Sequence, residues 1–264
     1  MRIPISLLNR IPAPLAARFR SHGLIARVLR AIVRRTMTSD EVVAVVRSGH
    51  GRGIRLTLDP SREKYYWAGQ HDVAVQDALV SLLRPGAVFW DVGAHVGFFT
   101  ILAARAVGPT GRVHAFEPMP NNHRRLVENV RLNGAENVTV HEIAVSDSNA
   151  SAVLHGHSAS AMWTLIAQRG EFEGVDVACR TVDSLASDLG EPDAIKVDVE
   201  GAELDVLRGG LATIEKLKAI LVVEFAAPEF VKAARELLPM HQFQQLSTLD
   251  WLLAPPSDTG PRDI

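Results

Sequence analysis

The feature that most constrains this chain is a rhythm that begins at Ala87. Short apolar runs alternate with amphipathic stretches of helical length. Val88–Val92, Arg112–Phe116 and Val138–Ile143 read as strands, and Phe98–Val107 and Pro120–Leu132 read as the helices between them. The second of these begins on proline, which suits a first helical turn. After an interruption the rhythm resumes. Ala194–Val197 reads as a strand, Leu204–Leu207 and Leu211–Leu217 as helical, Ala219–Val223 as a strand, and Pro228–Leu238 as a last helix. Strands joined through helices need right-handed crossovers, and these build a parallel sheet with helices on both faces. Two short runs close the pattern, Phe243–Leu246 and Trp251–Leu253. The turn between them is too short for a crossover, so they form a terminal antiparallel hairpin. The expected fold is α/β, a Rossmann-like, mostly parallel sheet.

The rhythm also divides the chain. Residues 1–50 read as a basic helical arm, 51–254 as the α/β domain and 255–264 as a flexible, proline-rich tail. Within the domain, Ile54–Leu58 alternates like a strand and 72–83 has helical periodicity. Residues 144–192 form an insert with strands near Ala152–Leu154 and Val175–Thr181 and no long helix. In the arm, eight arginines precede the first acid, Asp40. The whole chain carries −2, which leaves −10 on the rest. Leu24, Ile25, Val28, Leu29, Ile32 and Val33 recur at helical spacing, with Arg27, Arg30 and Arg34 on another face. Such an arm fits an anionic membrane surface or an acidic partner. It equally fits a helical cap on the domain or a homodimer contact, which is the simpler reading. Nucleic acid is not expected, because the arm lacks aromatic residues arranged for base stacking. A single cysteine, Cys179, excludes an intrachain disulfide and reads as a small buried hydrophobe. No apolar run approaches the roughly 18–20 residues that cross a bilayer. Prolines and arginines interrupt any signal-like segment at the N-terminus, so a cytoplasmic protein is expected.

In open parallel sheets ligands bind beyond the carboxyl ends of the strands, where strand order switches. The first strand of the rhythm ends in Asp91-Val92-Gly93-Ala94-His95-Val96-Gly97, a glycine-bearing turn into a helix. Gly93 can take a tight-turn conformation that a side chain would obstruct. Gly97 lets the helix start approach a ligand, and free amides there favour an anionic group. The spacing is G-x-x-x-G and misses the G-x-G-x-x-G that a dinucleotide pyrophosphate prefers. S-adenosylmethionine carries no phosphate and presents an ammonium and a carboxylate. Asp91 can serve the ammonium and the amides after Gly93 the carboxylate. Glu117 closes the next strand, about 20 residues after the glycine turn, as expected of an acid that accepts the two ribose hydroxyls. Pro118 stops that strand.

These runs resemble a known family. Val88-Phe89-Trp90-Asp91-Val92-Gly93-Ala94-His95-Val96-Gly97-Phe98-Phe99-Thr100 is similar to the first motif of FkbM-type methyltransferases. Val113-His114-Ala115-Phe116-Glu117-Pro118 with Asn121-Asn122 resembles the second. Ile195-Lys196-Val197-Asp198-Val199-Glu200-Gly201-Ala202-Glu203, with Gly209-Gly210 downstream, resembles the acidic motif. Asp59 to Asp72 resembles the entry segment. The likeness covers roughly residues 55–226. It departs at His95, where the family usually has asparagine, and at Asp72, where the usual acid is one methylene longer. The resemblance implies a class I methyltransferase-like sheet, S-adenosyl-L-methionine as cofactor, and methyl transfer mainly to hydroxyl oxygens of sugars, polyketides, lipids or related natural products. The implied cofactor-binding residues are Asp72, Asp91, Gly93, Ala94, His95, Gly97, Phe98, Thr100, Glu117, Pro118, Asn121, Ser146 and Asp198.

Methyl transfer to a hydroxyl needs the acceptor held in line with the methyl group and its proton removed. The candidate catalytic residues are Asp198, Lys196, His95 and Glu224. Lys196 lies two residues before Asp198, so the two side chains share a strand face. Glu200 and Glu203 can instead cap the next helix. Asp198, Glu200 and Glu224 offer hard oxygens, but no ligand spacing demands a metal, and none is expected. His155, His157 and Trp163 in the insert fit an acceptor wall or simple surface and packing roles. The expected partner is a small-molecule or glycoside acceptor. Two other functions share this architecture: a nicotinamide-dependent oxidoreductase, and a non-catalytic S-adenosylmethionine-binding protein.

Overall fold

A computed structural model describes residues 41–59, 63–156, 163–164, 174–217 and 219–255. The apolar stripe of the basic arm and the tail beyond Pro255 lie outside these residues. β1 (Val42–Val45) and β2 (Arg55–Leu58) pair antiparallel. The sequence reading placed Val42–Val45 in the arm. Instead it belongs to a hairpin that leans on the domain, where Thr57 N–H donates to the buried Asn129 Oδ1 at 2.6 Å. A short helix α1 (Lys64–Ala68), not expected from its Tyr-Tyr-Trp run, is followed by α2 (Val73–Leu82). Then come β3 (Val88–Val92), α3 (Phe98–Val107), β4 (Arg112–Phe116), α4 (Pro120–Leu132) and β5 (Val138–His141).

The insert holds β6 (Ala144–Val145), β7 (Ser151–Gly156), β8 (Trp163–Thr164) and β9 (Val175–Arg180), a sheet of its own in the order β6-β9-β7-β8. It also holds α5 (Val182–Leu189), which the sequence reading missed. Thr181 caps that helix by accepting from Ser184 N at 3.1 Å. Leu154, Val177 and Cys179 turn inward onto Met119 and Ala144, so the cysteine packs as a small buried hydrophobe.

The chain continues with β10 (Ala194–Val197), α6 (Glu203–Arg208), α7 (Leu211–Leu217), β11 (Ile220–Glu224), α8 (Pro228–Leu237), β12 (Gln242–Gln245) and β13 (Asp250–Ala254). The main sheet runs β12-β13-β11-β10-β3-β4-β5. β5, β4, β3, β10 and β11 are parallel, and β13 lies antiparallel between β11 and β12. This is the expected mostly parallel sheet with a terminal antiparallel hairpin. Alternation along β3 separates the two cores. Phe89 packs on one face with Leu79, Phe98, Ile101 and Leu102, and Trp90 on the other with Val206, Leu207 and Ile214. Among the described residues no helix is long and apolar enough to cross a membrane.

Candidate active site

From β3 the chain winds outward to β4 and β5. From β10 it winds the other way to β11. The switch in strand order therefore falls between β3 and β10, and the crevice beyond their carboxyl ends is where this topology admits a ligand. Val92 pairs with Val197, and Asp198 N–H donates to Val92 O at 3.0 Å, so Gly93 and Asp198 emerge side by side. Gly93 sits at φ +78, and a Cβ there would lie 1.8 Å from the Asp198 carbonyl oxygen. Two backbones meet at this point, and only glycine fits.

The crevice is a cavity of about 370 Å3. Tyr66, His71 and Asp72 form one wall. Gly93, His95, Glu117, Pro118, Met119 and Asn122 form the floor. Ala144, Val145 and Leu154 come from the insert, and Asp198, Glu200 and Glu224 come from the far strand ends. Asp72 (φ 38), His95 (φ 49) and Glu200 (φ 54) are the described non-glycine residues with left-handed backbone. All three line this cavity. Left-handed backbone costs a side-chain-bearing residue free energy and persists where surrounding contacts impose it, typically at functional sites.

Glu117 is held by its own surroundings. Oε2 accepts from His95 N at 2.8 Å, and Oε1 accepts from Met119 N at 3.0 Å and Asn122 Nδ2 at 3.4 Å. Burial nevertheless dominates and pushes its carboxyl up to about 7. Each carboxylate oxygen has two acceptor sites; both on Oε1 are filled, and one on Oε2 remains for a ligand hydroxyl. His95 Nδ1 lies 3.2 Å from the Tyr66 hydroxyl, and His95 Nε2 lies 3.6 Å from Glu63 Oε1. Burial lowers the His95 pKa to about 4, so the ring is neutral at pH 7. Glu63 and Arg125 are both buried and form a two-bond ion pair, which fixes α1 against α4.

The other end of the cleft is acidic. Lys196 Nζ lies 3.1 Å from Asp198 Oδ2 and 3.5 Å from Asp91 Oδ1. Burial opposes the ammonium, but Asp198 and Asp91 hold its pKa above the usual lysine value. Burial raises Glu200 to about 7 and Glu224 to about 8, and nearby Asp198 adds to both shifts. His71 Nε2 lies 3.1 Å from Asp72 Oδ2, and burial lowers its pKa to about 4. Among the described residues no group of three His, Cys, Asp or Glu side chains is arranged to hold a metal ion.

Of the residues singled out in the sequence, Asp72, Gly93, His95, Glu117, Pro118, Asn122, Asp198, Glu200 and Glu224 meet at this cavity. Asp91, Ala94, Gly97, Phe98, Thr100, Asn121, Ser146 and Lys196 do not line it. Asp91 is fully buried behind it, with Oδ2 accepting from Thr100 Oγ1 at 2.6 Å, so both belong to the support of the site. Ala94 N and His95 N, candidates for a ligand carboxylate, already donate to Phe116 O and Glu117. Gly97 faces α4, where a Cβ would meet Leu126 Cδ1 at 2.4 Å, and Phe98 is core. Asn121 points to solvent and its neighbour Asn122 enters the cleft, because one helical step turns the side chain by about 100°. Ser146 N bonds Arg180 O inside the insert sheet. Lys196 stands behind Asp198. His155 and Trp163 lie on β7 and β8, and His157 lies outside the described residues. Sequence reasoning missed Tyr66, His71 and Leu154 as lining residues. Tyr66 and His71 lie in the run that resembles the entry segment and Leu154 in the insert, and only the folding of those segments over the strand ends shows which side chains face the cleft.

The strand order and the acid-lined crevice at its switch point define a Rossmann-like protein of the methyltransferase class. The chain belongs to the FkbM methyltransferase family: the family model for the methyltransferase FkbM domain matches residues 91–247. Two curated relatives are a 2-O-methyltransferase, NoeI, of Sinorhizobium fredii, and a hexuronic acid methyltransferase, AglP, of Haloferax volcanii. NoeI is 30% identical, over 62% of this chain and 76% of its own length. AglP is 28% identical, over 65% of this chain and 70% of its own length. The AMB antimetabolite synthetase AmbE of Pseudomonas aeruginosa is 27% identical over 88% of this chain, which spans 13% of that protein. Among solved structures, a methyltransferase FkbM from Methylobacillus flagellatus aligns with a TM-score of 0.45 at 18% identity. That alignment covers 72% of this chain and 53% of that one.

Proposed function

We propose that this protein transfers the methyl group of S-adenosylmethionine to a hydroxyl oxygen of a sugar, polyketide, lipid or related natural product. The observation that carries the cofactor is the charge of the cleft. Asp72, Glu117, Asp198, Glu200 and Glu224 line it, and no lysine or arginine does so among the described residues. A dinucleotide would bring its negatively charged pyrophosphate against these carboxylates with no cation to neutralise it. S-adenosylmethionine brings a sulfonium and an ammonium, which the same carboxylates attract. Glu117 stands where an acid accepts ribose hydroxyls, and Met119, Ala144, Val145 and Leu154 offer an apolar face beside it.

The cofactor supplies an electrophilic methyl carbon on sulfur. Around it, Asp198 faces the cleft with its side chain 24% exposed and is the group proposed to take the acceptor's proton, with Lys196 acting through it. The neutral rings of His71 and His95 and the Tyr66 hydroxyl wall the acceptor side. Oxygen as the methyl acceptor is supported by the relatives named as a 2-O-methyltransferase and a hexuronic acid methyltransferase.

Calorimetry with S-adenosylhomocysteine and with NAD tests the cofactor. Wild type should bind the first and not the second. Glu117→Ala should weaken binding at least about tenfold, the loss of one hydrogen bond to a charged group. Failure of wild type to bind S-adenosylhomocysteine, or tighter binding of NAD, overturns the reading. Oxygen transfer is tested with methyl-labelled S-adenosylmethionine and a panel of sugar glycosides. An ether retains its label in alkali, whereas an alkali-labile label places the methyl on a carboxylate.

A further inference from the structure

Glu63 is buried and lines no part of the cavity; it stands behind His95, which does. Its carboxylate accepts from both terminal nitrogens of Arg125 and from Asp59 N at 2.7 Å, so it faces its neighbours as an acceptor only. The His95 atom turned to it, 3.6 Å from Oε1, is Nε2. A neutral imidazole carries one N–H and one bare lone pair. Facing a carboxylate, the bare nitrogen is repelled and the N–H attracted, so the hydrogen belongs on Nε2. Nδ1 is then the lone pair, and the Tyr66 hydroxyl 3.2 Å away donates to it. The Tyr66 ring is held in place for this bond. Its centroid lies 4.2 Å from that of His71 and 5.4 Å from that of Phe98. His95 is pinned as well, with left-handed backbone at φ 49 and its N–H on Glu117.

We propose that Glu63 sets the hydrogen-bond polarity of this wall: it holds His95 in the Nε2–H tautomer, His95 takes the one hydrogen of the Tyr66 hydroxyl, and the Tyr66 oxygen meets the acceptor with lone pairs only. Glu63 is thus a positioning residue acting through His95, and Tyr66 a specificity-determining one. An acceptor molecule has to offer a hydrogen here. A second hydroxyl, beside the one that is methylated, supplies it. A carboxylate on the acceptor brings further lone pairs against Tyr66 and further negative charge into a cleft already lined by carboxylates. The wall therefore selects a neutral, hydroxyl-bearing acceptor over its acidic counterpart. For the acceptor this inference rests on the methyltransferase reading above; the tautomer does not depend on it.

Nitrogen NMR of protein carrying 15N-labelled histidine reads the tautomer without cofactor or acceptor, and His95→Asn identifies the His95 signals by their loss. At pH 7 wild type should show a protonated Nε2 and a bare Nδ1. Tyr66→Phe should keep that pattern, because Glu63 imposes it. Glu63→Gln, whose amide presents a hydrogen or a lone pair, should give a mixture of tautomers. Hydrogen on Nδ1 in wild type overturns the proposal, as does an unmixed Nε2–H tautomer in Glu63→Gln or its loss in Tyr66→Phe. If Glu63→Gln does not fold, wild type and Tyr66→Phe decide. Methyl-labelled S-adenosylmethionine is then offered neutral glycosides mixed with the matching glycosiduronic acids. Label should favour the neutral glycosides at least about tenfold, the value of one hydrogen bond. Preference for the acids overturns the selection. Where wild type binds S-adenosylhomocysteine yet labels no neutral glycoside, the selection fails; where it does not bind, the methyltransferase reading itself has failed.

Discussion

Raising the pH of the free protein from 5 to 8 should weaken it through Glu117, and Glu117→Gln should remove that weakening. Burial pushes this carboxyl from 4.5 to about 7 despite two backbone N–H groups that favour its ionised form. Between those values the folded state keeps a proton that the unfolded chain gives up. Stability from this group is therefore full below pH 4.5 and is lost as the pH rises through 7. Integrating the difference from pH 5 to pH 8 gives a loss of about 2.5 kcal/mol, at about 1.4 kcal/mol per pKa unit. Glu200 and Glu224 shift the same way and are present in both proteins, so they cancel in the comparison. Urea unfolding of wild type and Glu117→Gln at the two pH values supplies the double difference. Wild type should lose about 2.5 kcal/mol more than the variant. Equal losses in the two proteins would refute burial as the state of Glu117.

Three further outcomes follow from the same geometry. Gly93→Ala should cost at least about 2 kcal/mol in chemical denaturation, since left-handed backbone and overlap with the Asp198 carbonyl add; a loss below about 0.5 kcal/mol contradicts the close approach. Glu63→Gln should cost about 2–3 kcal/mol by taking from the buried Arg125 its two-bond carboxylate and leaving, among the described carboxylates, only Glu41 at 3.5 Å, and adding Arg125→Met should recover part of it; additive losses in the double variant would show that the pair is not coupled. Affinity for S-adenosylmethionine should rise from pH 6 to pH 9, because Glu200 at about 7 and Glu224 at about 8 must ionise to meet the sulfonium. The neutral sulfur of S-adenosylhomocysteine should show a shallower rise, and identical slopes in calorimetry would contradict the acidic end as the sulfonium site.

The elements themselves were legible because each declares its own period. Val88–Val92, Phe98–Val107, Arg112–Phe116, Pro120–Leu132 and Ala194–Val197 are bounded by local signals: apolar runs, a glycine turn and a proline at a helix start. Elements that lack such signals were lost. α1 is built from Tyr-Tyr-Trp, residues that favour strands, and is helical because Trp67 and Ala68 are buried against the β1–β2 hairpin and α2. Val42–Val45 follows an arginine-rich arm and reveals itself only by pairing with Leu58 and its neighbours.

The sequence alone determined that a parallel sheet would place Asp91, Glu117 and Asp198 at the carboxyl ends of neighbouring strands, because strand period and crossover handedness are local and general. Only the tertiary structure decided which of these side chains meets a ligand. Asp91 and Lys196 share a strand pair with residues that line the cleft, yet they turn behind it to neutralise each other. Tyr66 and His71 enter from the segment before the sheet, where the Glu63–Arg125 pair ties that segment to α4 across 62 positions of sequence. Such choices depend on the packing of distant segments, which no local pattern encodes.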